Sequence, residues 1–403
     1  MLRRTSLDRK RKQFDQVGIG GRRVWIRNWE RFAFLQMHLR DIFEHTGDHE
    51  ARVSEVEALE WLTETGDAEW GLRLGAALFR FWETREYIAE GRDRLGKLLK
   101  LAGPATKARE RALFSAGVLA SEQADYAAAE PLFSAALDIA RQLGDKRGEA
   151  VSLNALAVNA RNRGDVAVAL SLFEDGLARW RELEDQKQVA RSLSNLANVV
   201  KLQGDYPRAR ALHAECLSIF SGLGDRTGVA WSLNSQGDAA RDQGDSTAAK
   251  TLYEQGLAIF WELGDRWGIA ATLNDLGNLA MEQRNSSTAR SLYRESLKTF
   301  QELQHKRGIA RLLECFARLA AAELEAERSL RLAGAAAALR QNIGAPLTPT
   351  EQVKLEAILD PARQALTNTA SATAWLEGWA TPFEQAVEGV LMPEPPTPRL
   401  QGQ

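Results

Sequence analysis

The chain has 403 residues, 44% hydrophobic and 26% charged, and its 52 Lys plus Arg and 54 Asp plus Glu leave a formal net charge of −2. That balance gives no global reason to expect nucleic acid as a partner, and without a run of about 18 apolar residues no membrane-spanning helix is expected. Cys216 and Cys315 are the only cysteines, which fits a reducing cytoplasm and no disulfide framework.

Residues 1–49 open the chain without a hydrophobic signal core. Ten Lys or Arg stand against three acidic residues among the first 31. Such a run could serve as an arm for an anionic surface. The blander expectation is a solvated, poorly ordered or degenerate segment whose Trp25 and Trp29 dock on the first helices. His45 and His49 are four apart, but Gly47 and Asp48 lie between them and no third metal ligand is near, so a loop is expected.

Residues 50–109 read as capping helices and a divergent first helical hairpin, centred on residues 71–100. Within it, Gly91-Arg92-Asp93-Arg94-Leu95-Gly96-Lys97 fits the opening of a phosphate-cradling loop. Position 98 is Leu rather than Ser or Thr, no strand precedes Gly91, and Ile88, Leu95, Leu98 and Leu99 fall at helical spacing, so a helix is expected there.

Residues 110–343 repeat every 40 residues. Leu143-Gly144-Asp145, Leu183-Glu184-Asp185, Leu223-Gly224-Asp225 and Leu263-Gly264-Asp265 share one register, and Gly164-Asp165, Gly204-Asp205 and Gly244-Asp245 share a second. Taking residue 150 as position 1, each unit is two amphipathic helices, with glycine closing one and aspartate capping the next. Position 8 is small (Gly117, Ala157, Ala197, Gly237, Gly277, Ala317), as is position 20 (Ala129, Ala169, Ala209, Ala249, Ala289). Position 24 is large (Phe133, Phe173, His213, Tyr253, Tyr293). Small residues mark where two helix backbones cross, and large ones fill the space beside the crossing. His213 and Cys216 therefore read as core residues rather than catalytic ones.

Those columns, with Tyr126 and Tyr206 at position 17, resemble the tetratricopeptide repeat in a form with lengthened helices. The resemblance covers roughly residues 70–343 and implies an all-α fold: an α-solenoid, a right-handed superhelix of helical hairpins, in one elongated body with short helical caps. The succession from "EALEWLTETGDAEWGLRLGAALFRFW" through the repeats to "LRLAGAAAALRQNIGAPLTPTE" is also similar to the C-terminal arm of bacterial NB-ARC/LuxR-type signalling ATPases. The ATPase part is absent, so no transcription-factor activity carries over. Residues 344–392 read as C-terminal capping helices, introduced by Thr348-Pro349 and Thr381-Pro382. Residues 393–403 are proline-rich and expected to be disordered.

In stacked tetratricopeptide units, positions 5, 9 and 12 of the first helix line the concave groove. Position 5 reads Asn154, Ser194, Asn234 and Asn274; position 9 reads Asn198, Asp238 and Asn278; position 12 reads Arg161, Lys201 and Arg241. Trp231 stands at position 2. A ladder of amides can hold a peptide backbone whatever its side chains, and the cations would favour acidic residues or a carboxylate terminus. The competing reading is that the amides bond between neighbouring first helices. The expected function is a non-catalytic scaffold in bacterial signalling or regulation that binds a protein or peptide partner in the groove, without cofactor or metal. The alternative is the orphaned sensor arm of an ATP-dependent transcriptional regulator acting in trans.

Overall fold

The computed structural model describes residues 14–19, 22–27, 59–84, 87–101 and 103–392. The side chains of Trp25 and Trp29, the His45/His49 pair and the tail from 393 lie outside the described residues.

The basic N-terminal segment differs from expectation in containing a small β hairpin. β1 (Phe14–Ile19) pairs antiparallel with β2 (Arg22–Arg27), Val17 opposite Val24. Gly20-Gly21 between two runs rich in β-branched residues is a two-residue hairpin signal that a reading based on charge passes over.

The array is helical throughout. α1 (Ala68–Thr84) and α2 (Ile88–Leu99) form the divergent first hairpin. The 40-residue units follow as α3 (Lys107–Glu122) with α4 (Tyr126–Gln142), α5 (Lys146–Arg163) with α6 (Val166–Glu182), and α7 (Gln186–Leu202) with α8 (Tyr206–Gly222). Three more are α9 (Arg226–Asp242) with α10 (Ser246–Leu263), α11 (Arg266–Glu282) with α12 (Ser286–Glu302), and α13 (Lys306–Ala322) with α14 (Ala326–Asn342). The phosphate-loop lookalike lies inside α2, where the missing side chain of Gly91 lets Trp82 and Leu119 close in.

Local chemistry sets the helix ends. Asp145, Asp185, Asp225 and Asp265 each accept from the backbone N–H three residues on, at 3.0, 3.2, 2.9 and 2.9 Å, and His305 does the same through Nδ1 at 3.0 Å. Asp165 is an exception: it stands at the N-cap of α6 without a side-chain cap bond, and its carboxylate lies 3.2 Å from Arg163. Each turn passes through the left-handed backbone region. Glycine takes that conformation at most of the turns, but Ala124, Glu184, Arg284, Gln304 and Leu324 take it as well.

The packing columns hold. Phe133, Phe173, His213, Tyr253 and Tyr293 are all buried. A Cβ on Gly237 would lie 2.7 Å from the Tyr253 ring, so the ring uses the room that glycine leaves. Between units, a second ladder runs along the edge of the groove. Lys107 pairs with Asp145, Arg147 with Asp185 at 2.9 Å and Lys187 with Asp225 at 2.6 Å, each cation reaching the capping aspartate of the next unit. In later units aromatic contacts replace it: Trp231 lies 4.9 Å from Trp267, and Trp267 lies 6.4 Å from His305.

The superhelix also returns on itself. Arg307 at the start of α13 pairs with Glu122 at the end of α3, and Gly344, which ends α14, comes close to Gln123. The body is thus closed across its groove rather than simply elongated. The C-terminal end is covered by α15 (Pro349–Gln364), α16 (Asn368–Ala380) and α17 (Phe383–Leu391). α15 starts with a complete Thr348/Glu351 capping box, and α16 crosses α14 so closely that a Cβ on Gly378 would strike the Arg331 carbonyl.

Candidate functional site

Because the array curls round, its first helices face a shared lumen. A cavity of about 520 Å³ occupies it, walled on one side by Trp231, Asp238, Arg241, Trp267, Asn274, Asp275 and Arg311. Facing them are Glu122, Tyr126 and Asn162 of the early units, with Thr348 and Glu351 from the start of α15. Trp267 is 46% exposed although it is tilted against Trp231 and set edge-on to His305.

The amides of position 5 are engaged between repeats. Asn234 is buried and its Nδ2 donates to Thr272 Oγ1 at 2.6 Å, joining α9 to α11. Asn154 Oδ1 accepts from Asn195 Nδ2 at 3.2 Å, joining α5 to α7. Asn274 Oδ1 accepts from Cys315 Sγ at 3.3 Å, joining α11 to α13. Ser194 instead faces a second cavity of about 510 Å³, which Trp231 also lines.

At position 9 Asp238 lines the lumen cavity, and the polar atoms of this column are partly engaged inside the hairpin. Asp238 accepts from the Tyr253 hydroxyl at 2.7 Å, and Asn278 accepts from the Tyr293 hydroxyl at 2.9 Å. Asn198 is half-buried one unit earlier. At position 12, Lys201 pairs with Asp242 at 2.6 Å, while Arg241 has Asp238 at 3.5 Å and Glu282 at 3.7 Å. Arg161 leans on Asn162 Oδ1 at 3.2 Å, and burial pulls its pKa below the usual arginine value. Lys201 and Arg241 are thus paired within the fold, so position 12 offers an anion less than its composition implies.

Two lumen residues fall outside the columns read from the sequence. Asp275, at position 6, is pushed up to about 7, first by burial and then by the neighbouring Asp238 carboxylate. Arg311, at position 2, remains accessible to lumen water while protein surrounds it, and Asp275 and Asp238 help to hold its charge. The signal for Arg311 was present, since position 2 of every unit can be aligned once Trp231 is placed there. Asp275 is a single departure in its column, with no repeated pattern to betray it.

Among the described residues, no group of three or more His, Cys, Asp or Glu side chains is arranged to hold a metal ion, and no helix is long and apolar enough to cross a membrane.

Comparison with known proteins places this geometry. Residues 92–182 and 188–260 match one tetratricopeptide repeat family model, and residues 269–303 match another. No curated protein matches the chain. Among solved structures, the apo form of RapI is similar with TM-score 0.55 and 14% identity, covering 68% of this chain and 99% of RapI. A Rap protein complexed with competence and sporulation factor has TM-score 0.46 and 14% identity, covering 73% and 92% of the two chains. BtubC (BKLC) from P. vanneervenii has TM-score 0.42 and 20% identity, covering 62% and 93%. At these identities the RapI likeness concerns the fold alone. The matches to tetratricopeptide repeat models thus fall within residues 92–303 of the helical array.

Proposed function

We propose that this protein is a non-catalytic interaction scaffold that holds an extended segment of a partner protein within its closed lumen. The observation that carries this reading is the cavity of about 520 Å³, in which the half-exposed Trp267 adjoins the charged and hydrogen-bonding groups of Asp238, Arg241, Asp275 and Arg311. An apolar platform beside fixed polar groups suits a peptide, whose side chains need the first and whose backbone needs the second. A setting in bacterial signalling is part of the proposal and rests on the resemblance of the array to the arms of signalling ATPases.

The test is selection of a displayed random peptide library on the folded protein, followed by measurement of the selected peptides on Ala271→Trp, which fills the lumen beside Trp231 and Trp267. Loss of binding with unchanged helicity supports the lumen as the site. Unchanged affinity in the filled variant, or no selected peptide, removes it.

A further inference from the structure

The first helices carry a column of arginines that form no ion pair within the fold. Position 2 of successive units reads Arg111, Val151, Arg191, Trp231, Ala271 and Arg311. All three arginines are exposed, and among the described residues none makes an ion pair or hydrogen bond. Other cations of the groove are spent: Lys107 and Lys187 on the capping aspartates of the next units, Lys201 on Asp242, Arg307 on Glu122 and Arg340 on Glu314. Each guanidinium also lines a cavity. Arg111 borders one of about 560 Å³ with Arg73, Arg191 borders the 510 Å³ cavity, and Arg311 borders the 520 Å³ lumen cavity. Trp231 connects the last two, because it lines both.

We infer that the occupant of the lumen is an acidic linear peptide whose carboxylates, spaced several residues apart, are read by Arg111, Arg191 and Arg311, with an apolar or aromatic side chain seated on Trp231 and Trp267. This rests on the reading of the lumen as a peptide groove. A guanidinium presents a planar fork that matches a carboxylate, and a protein whose total charge is −2 keeps such a column unpaired against the trend of its own composition.

Spacing selects the class of anion. Arg111 and Arg191 lie two first helices apart, roughly 16 to 20 Å at ~8 to 10 Å per packed helix. An extended peptide rises ~3.3 Å per residue, so carboxylates about five or six positions apart meet both. A nucleic-acid strand carries a charge every ~3.4 Å. Its intervening phosphates would meet Lys107, Arg147 and Lys187 only where these already pair with Asp145, Asp185 and Asp225. Arg311 is the weakest of the three anchors for an anion of either class, since the charges of Asp275 and Glu351 already act on it.

The experiment uses the full chain and a displayed library of random 15-residue peptides, with a single-stranded DNA pool of matched length as a second probe. Sequences retained by the wild-type protein should be net acidic, with two acidic positions five or six apart. Arg111→Ala and Arg191→Ala should each weaken the selected peptides roughly tenfold, in line with the loss of a charge-assisted bond. The triple charge reversal Arg111→Glu/Arg191→Glu/Arg311→Glu, folded by circular dichroism, should retain basic sequences instead. Neutral or basic sequences on the wild type, or the same selection on the triple variant, would overturn the inference while leaving a peptide groove in place. Tighter retention of DNA than of the acidic peptides would overturn it as well. Failure of every peptide to be retained would remove both the inference and the reading beneath it.

Discussion

Arg307, at the first turn of α13, is ion-paired with Glu122, at the last turn of α3, so the sixth 40-residue unit grips the first across the groove. Both side chains keep contact with solvent, and an ion pair of that kind contributes ~0 to 1 kcal/mol. Its consequence is therefore for shape more than for stability. Arg307→Glu should leave the melting temperature nearly unchanged and raise the radius of gyration in small-angle scattering. Adding Glu122→Arg should restore the compact value. Identical scattering from all three proteins would mean that the closure rests elsewhere.

The small-against-large columns predict which glycines tolerate bulk. Gly237 leaves room for the Tyr253 ring, whereas Gly222, at the end of α8, has open space where a side chain would go. Gly237→Leu should destabilise by ~1 to 3 kcal/mol or more through overpacking. Gly222→Leu should change stability by no more than ~0.5 kcal/mol, as expected at a surface site away from special features. Chemical denaturation of the pair checks it, and equal midpoints would contradict the packing code.

His213 makes stability depend on pH. It is fully buried, neither ring nitrogen has a partner in the fold, and burial followed by the charge of Lys201 lowers its pKa from 6.5 to about 4. Above pH 6.5 the ring is neutral in both folded and unfolded chains, and the contribution is constant. As pH falls from 6.5 towards 4 the unfolded chain takes up a proton that the folded chain resists, so stability declines by ~1.4 kcal/mol per unit, about 3 kcal/mol in all. His213→Phe, which copies the residue of this column in earlier units, should remove that part of the slope. Parallel pH–stability curves for wild type and variant would refute it.

Leu324 holds a left-handed turn at φ 63° with its side chain 91% exposed. A branched residue there costs ~1 to 2 kcal/mol of backbone strain, partly offset by its lower unfolded-state entropy relative to glycine. Leu324→Gly should raise stability by up to ~1 kcal/mol, checked by thermal melting. A fall in melting temperature would show that the turn is not strained.

The sequence made the array legible because its constraints recur. Gly-Asp turns, the position 8 and 24 pairs and the capping aspartates each repeat in register, and one misread unit is corrected by the next. The β1–β2 pair and Asp275 occur once, so no column announces them. The closure between Glu122 and Arg307 was invisible for another reason: it depends on superhelix curvature, which accumulates from small rotations at every interface. The groove was half legible. Of the residues read at positions 9 and 12, Asp238 and Arg241 line the lumen cavity, and composition alone could not show that Lys201 and Arg241 form ion pairs while the position 2 arginines form none.

The central claim is that a peptide lies inside the lumen, and site-directed photocrosslinking tests it most directly. A benzoylphenylalanine replaces Trp267, an aromatic side chain lining the lumen, or Val168, which is 53% exposed on α6. With a library-selected peptide present, crosslinking is expected at 267, none at 168, with competition by excess unlabelled peptide. Crosslinking at 168 with none at 267 would contradict the claim.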